Sequence, residues 1–190
     1  MGLVEVGVGL IPGGGGNIEM VARTLKGAID SPTYVTEHLL MRSLETVAMA
    51  KVATSAAEAK ELLYLADADT FSMNRRYQLH DACTIAVAMA RSGYIPPARR
   101  EFRLPGKNAH ATFAMGLRSF LDGKFISEHD YKIALKVAHV MTGGNTNSTK
   151  KISEDALLDL EREAFLSLCG EEKTMARIAY MLENNKPLRN

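Results

Sequence analysis

Cysteine is scarce in this chain, and its placement excludes more than its number does. Cys83 and Cys169 are the only two, far apart, with no CxxC and no histidine spacing that would complete a metal set. Both read as reduced core thiols on helical segments of a cytoplasmic protein. Charge of one sign is also lacking: 23 Lys plus Arg against 22 Asp plus Glu leave a net charge of +1. That supplies no field for nucleic acid or an anionic membrane, and neither partner is expected. No apolar run reaches the roughly 18 residues that a membrane helix needs, and no basic stretch precedes the apolar start as in a signal peptide. What is present is the composition of a soluble globular domain, 46% hydrophobic and 24% charged. A chain of 190 residues buries roughly 70% of its unfolded surface on folding and needs no covalent staples.

The first residues, LVEVGVGLIPGGGGNIEM, alternate Val4, Val6 and Val8 against Leu3, Glu5 and Gly7, which predicts a short strand. After the glycines, Asn17 is placed to cap a helix carrying Ile18, Val21, Leu25 and Ile29 on one side. Asp30, Ser31 and Pro32 end it, and a second helix is expected over about 35–51. Ser55 and Glu58 fit a capping box for a third, reaching Tyr64. A brief strand is expected near Phe71, then a helix from Arg76 to Arg91 with Leu79, Cys83, Ala86 and Ala90 as its buried stripe. The stretch 93–108, with Pro96, Pro97 and Pro105 among basic residues, reads as a linker. Beyond it three amphipathic helices are marked by Phe113, Leu117 and Phe120, by Ile133, Val137 and Val140, and by Leu157, Leu160, Ala164 and Leu168. Ser127 and Ser153 sit at helix starts, with Asp130 and Glu154 in the first turns. The class is mainly α, with one or two short N-terminal strands.

Three readings of the glycine loop compete. A phosphate-cradling P-loop needs Lys and then Ser or Thr after its glycines, whereas Asn17 and Ile18 follow here. The dinucleotide fingerprint needs glycine at its sixth position; counted from Gly7 that position is Pro12, and from Gly13 it is Ile18. The third reading is a loop whose bare amides face a polar reacting group beside the carboxylate of Glu5, since glycine removes the Cβ that holds a substrate off the backbone. Against it stands the plain alternative of a tight turn with Glu5 solvated at an edge.

VEVGVGLIPGGGG resembles the segment of the crotonase (enoyl-CoA hydratase/isomerase) superfamily in which a catalytic glutamate precedes G-x-I-P-G-x-G-G. AKVATSAAEAKELLYL resembles the helix pair behind that segment. The stretches GYIPPARR, GKFISEHDYKIALKVAHVMTGG and LLDLEREAFLSLCGEEKTMARIAYMLENNKPLRN are similar to the C-terminus of bacterial multifunctional fatty-acid oxidation proteins, which place a 3-hydroxyacyl-CoA dehydrogenase before a hydratase module. The resemblance covers nearly the whole chain. It implies the C-terminal half of a crotonase core over 1–92, the linker 93–108, and a family-specific helical extension over 109–190. It implies an acyl-CoA thioester as substrate, no tightly bound cofactor, and NAD only in a dehydrogenase part. Matched residue by residue, Glu5 is the second of the family's two catalytic glutamates, and Gly13 the glycine whose N–H helps to place the water. In the family the first glutamate and both oxyanion-hole segments lie upstream. The expectation is therefore a chain inactive alone, with a non-catalytic packing or oligomerisation module as the alternative.

His38, His80, His110, His129 and His139 form no ligand pair, so no metal is expected. Ser127-Glu128-His129-Asp130 holds triad residue types, but a helix start accounts for Ser127 and Asp130. Arg99 and Arg100 are candidates for the phosphates of coenzyme A, with a solvated linker as the alternative. Glu161, Arg162 and Glu163 read as the wet side of a helix. Met175, Ile178, Ala179 and Leu182 read as core or interface at helical spacing; the resemblance implies C-terminal helices that pack on neighbouring modules or subunits, and a homo-oligomer is expected.

Overall fold

A computed structural model describes residues 1–28 and 31–190. Among them are eight α-helices and one two-stranded sheet. The mainly α expectation therefore holds. Ile29 and Asp30, expected to close and break the first helix, lie outside the described residues.

The centre is α6 (Glu128–Met141), which buries Ile133, Ala134, Val137, Ala138, Val140 and Met141. Its start is the predicted one: the Ser127 hydroxyl accepts from the Asp130 amide at 3.1 Å, and the Asp130 carboxylate accepts from the Ser127 amide at 3.0 Å. Around it pack α1 (Gly16–Thr24), α2 (Thr33–Ala48), α5 (Lys107–Asp122) and α7 (Glu154–Cys169). Each contributes an apolar stripe, including Ile18 and Val21, Leu40 and Leu44, Phe113 and Leu117, and Leu157 and Leu168. Full burial of such side chains stabilises by about 1.5–3 kcal/mol each. α8 (Glu172–Asn184) packs on α7 and on the N-terminal turn. No helix among the described residues is long and apolar enough to cross a membrane.

Several local expectations change. LVEVGV is not a strand: Glu5–Val8 form a 3-10 turn closed by Gly9 at φ 89°. Alternation over so few residues also fits a turn that buries Val6 and leaves Val4 exposed. Extended pairing here is a single bridge between Gly2 and Val52. The strands are instead β1 (Glu101–Arg103) and β2 (Lys151–Ser153), antiparallel, with Phe102 opposite Ile152. β1 lies inside the stretch 93–108 expected to be a linker, and β2 ends at Ser153, expected only as a helix start; three residues carry too short a pattern to read. The segment near Phe71 is not a strand.

α3 (Ala56–Glu61) starts at Ser55, whose hydroxyl accepts from the Glu58 amide at 3.1 Å, while Glu58 reaches back to Thr54 instead of Ser55. α4 (Gln78–Arg91) has no buried residue. Its stripe of Leu79, Cys83, Ala86 and Ala90 is exposed, which corrects the core reading of Cys83; Cys169 is half-buried. The periodicity was real, but nothing in the described residues covers that face.

Candidate functional site

Glu5 sits on the 3-10 turn, and the turn is held from α8. Thr174 Oγ1 donates to the Gly9 carbonyl at 2.8 Å and meets His129 Nε2 at 2.9 Å, while Arg177 Nη1 reaches the Val6 carbonyl at 3.4 Å. Arg177 is fully buried and bonded to Asp130 Oδ1 at 2.7 Å and to Asn190 Oδ1 at 2.8 Å. Burial pushes the Asp130 carboxyl up, but the Ser127 amide and the Arg177 and Arg189 guanidiniums outweigh it and hold the group below the usual carboxylate range. The turn bearing Glu5 thus rests on a satisfied polar network.

The turn leads into the loop Pro12–Asn17, where a Cβ on Gly16 would stand 2.7 Å from Leu3. Gly15 adopts φ 87° and serves as the N-cap of α1, a position where any side chain is strained. A Cβ on Gly13 would stand 2.7 Å from the ring of Phe165 on α7, so glycine is required there by a close approach. Gly13 and Gly14 are exposed. Asn17 lies inside the first turn, fully buried, and its side-chain N–H donates to the Pro12 carbonyl at 3.0 Å.

The structure adds a residue that the sequence did not single out. Glu161 is buried at 1% exposure, which corrects its reading as solvated. Its Oε1 accepts from the Gly15 amide at 2.5 Å, and its Oε2 from the Asn17 amide at 3.1 Å and Asn17 Nδ2 at 2.9 Å. A carboxylate on the first amides of a helix is favoured by the helix dipole. Burial nevertheless raises the Glu161 carboxyl above its ordinary range, and the charge of Glu5 adds to the effect against the pull of the Gly15 and Asn17 donors. Burial also pushes the Tyr64 phenol up, again with a contribution from Glu5. The signal in the sequence was spacing: Leu157, Glu161, Ala164 and Leu168 form one 4-3-4 stripe.

Two buried oxygens here, Glu5 Oε2 and Asn17 Oδ1, have no hydrogen-bond partner among the described residues. A buried acceptor left without a donor costs roughly 1–3 kcal/mol, so each is an invitation to a donor. The two carboxylates differ: both Glu161 oxygens are occupied by N–H groups, whereas Glu5 keeps one oxygen open. The chemistry available is one general acid or base, with exposed glycine backbone a few residues on in the chain.

Arg99 and Arg100 are not assembled with these groups by any contact. Arg100 pairs with Glu19 and, through Nη2 at 2.7 Å, with Glu154, and lies over the Phe102 ring at 5.7 Å. These bonds push Glu154 down to about 2. Arg99 is exposed, with longer pairs to Glu154 at 3.8 Å and Asp155 at 3.6 Å. A separate cavity of 230 Å³ between α2, α5 and α6, lined by Met41, Leu44, Met49, Leu117, Phe120 and Ala134, includes neither Glu5 nor the glycine loop.

No family model matches the chain, and no solved structure matches it. It is 44% identical over all 190 residues to a protein described as "Probable 3-hydroxyacyl-CoA dehydrogenase" from Bacillus subtilis (strain 168), of which the match covers 23%. It is 28% identical over 177 residues, 93% of the chain, to one described as "Putative fatty acid oxidation complex trifunctional enzyme" from Rickettsia felis (strain ATCC VR-1525 / URRWXCal2), of which the match covers 21%. The chain therefore spans less than a quarter of the length of the curated relatives it matches, and its similarity is to part of proteins with these names.

Proposed function

We propose that these residues form the C-terminal portion of an enoyl-CoA hydratase or isomerase module acting on acyl-CoA thioesters in fatty-acid β-oxidation. Glu5 is its acid or base, and the Gly13 amide helps to place the water. The observation that carries this reading is the buried, unpartnered Glu5 oxygen on the turn that leads into a glycine loop pinned by Glu161. The names of the two relatives support the setting. The reaction needs a second carboxylate to share the water, and Glu161 has both oxygens committed to N–H donors. The chain alone is accordingly incomplete for catalysis.

A dehydrogenase relative implies NAD, and the residues here do not fit it. The N-terminus of α1, where a pyrophosphate would bind, already holds the Glu161 carboxylate, and the glycines miss the dinucleotide spacing. NAD belongs, in this proposal, to a dehydrogenase part. The alternative, a packing or oligomerisation module, draws support from α4, which has no buried residue, and from Met175 and Leu182, which α8 points outward at 54% and 82% exposure.

The test is hydration of crotonyl-CoA by the 190-residue chain and by the complete polypeptide as the genome encodes it. We expect no turnover by the chain, turnover by the complete polypeptide, and a loss of about 10²- to 10⁴-fold there on Glu5→Gln, the usual range for general acid-base catalysis. Turnover by the chain alone would show it to be complete. Full activity of Glu5→Gln would remove Glu5 from the mechanism, and an inactive complete polypeptide would favour the packing module.

A further inference from the structure

The glycine loop is gripped from α7 at two points one helical turn apart. Glu161 accepts the Gly15 amide at 2.5 Å and the Asn17 amide at 3.1 Å, and the Phe165 ring closes on Gly13 so tightly that a Cβ would stand 2.7 Å from it. Residues four apart share a helix face, so a single face of α7 sets the path of the loop. Asn17 Nδ2 joins the two ends, donating to Pro12 O at 3.0 Å and to Glu161 Oε2 at 2.9 Å. Burial raises the Glu161 carboxyl, the Gly15 and Asn17 donors pull it back, and the charge of Glu5 adds a smaller push upward.

We infer that Glu161 is a positioning residue for this site: its carboxylate fixes the Pro12–Asn17 loop so that the glycine backbone is presented to the group that reacts with Glu5. The inference rests on the reading of Glu5 as acid or base. No proton passes through Glu161, whose oxygens are filled by N–H donors. Glutamine at 161 keeps the shape but loses one acceptor oxygen and the charge, which frees either Gly15 or Asn17. Displacement of a reacting group by about 1 Å costs on the order of 10²-fold in rate.

Glu161→Gln and Glu5→Gln in the complete polypeptide, assayed for kcat and KM with crotonyl-CoA, test the role, together with carboxyl NMR titration of Glu161 in the 190-residue chain with and without Glu5→Gln. For Glu161→Gln we expect kcat to fall about 10²-fold with KM nearly kept, the split that separates a lost loop position from lost substrate binding. In the NMR arm, Glu5→Gln lowers the midpoint of Glu161. An unchanged kcat in a folded Glu161→Gln protein, or a loss carried by KM alone, would reduce Glu161 to a helix cap and overturn the inference. An unmoved Glu161 midpoint would show that Glu5 does not reach Glu161 and overturn the placing of the loop beside it. Full activity of Glu5→Gln, or no activity in the unmutated polypeptide, would instead bring down the reading of Glu5, and the positioning role with it.

Discussion

Arg177→Ala removes the fully buried guanidinium that links α8 to α6 and to the turn carrying Glu5. The substitution leaves Asp130, only 3% exposed, without its main partner, and frees the Val6 carbonyl and the Asn190 side chain. Breaking a buried ion pair from one side costs about 3–5 kcal/mol. Arg189, whose Nη1 lies 3.0 Å from the same carboxylate oxygen, offsets part of that, though its side chain is 51% exposed. The expected loss is therefore at the lower end, about 3 kcal/mol. In a chain of this size that is a fall of about 6–12 °C in Tm. The sign of the pH dependence follows from Asp130, whose folded value lies below its unfolded one. Its contribution is present above the unfolded value and is lost as pH falls through the folded one. In the variant the unpaired anion is costly at pH 7 and harmless once protonated. The gap between the two proteins should narrow on acidification to pH 3. Urea denaturation followed by circular dichroism at both pH values measures it; a gap below about 1 kcal/mol at pH 7, or an equal gap at pH 3, would refute the reasoning.

Gly13→Ala drives a methyl group against the Phe165 ring and should destabilise by about 1–3 kcal/mol. A second substitution, Phe165→Ala, should lower the cost of adding that methyl, a coupling that a double-mutant urea series would detect or deny. Arg100→Ala should release Glu154 from about 2 towards the ordinary carboxylate range. Because the Glu154 value is depressed in the fold, its stabilisation is present above the unfolded value and lost as pH falls through about 2. The variant should show less acid-side loss, and NMR titration of the Glu154 carboxyl checks the shift itself.

Features whose partners are near in sequence were legible. Ser127, Ser55 and Ser153 cap the helices they were expected to cap, because a cap bond spans three residues. The stripe of Ile133, Val137 and Val140 is buried as its spacing predicts. The start of α1 was misplaced by Asn17, a good cap type whose amide is drawn inward by Pro12 and Glu161. β1 and β2 were hidden because each strand has three residues and its partner lies about 50 residues away, Phe102 opposite Ile152. The α4 stripe shows the converse: a helical pattern states that a face is apolar, and says nothing about whether anything lies against it.

The sequence by itself determined a helix-rich chain, the starts of several helices and the glycine loop beside a lone N-terminal acid, since these follow from local geometry and from the pairing of each residue with its near neighbours. Only the tertiary structure decided that Glu161 and Arg177 are interior residues. Burying a charge is tolerable only when hydrogen-bond partners or an opposite charge meet it, and those partners lie 144 and 146 residues away for Glu161 and as far as 171 for Arg177.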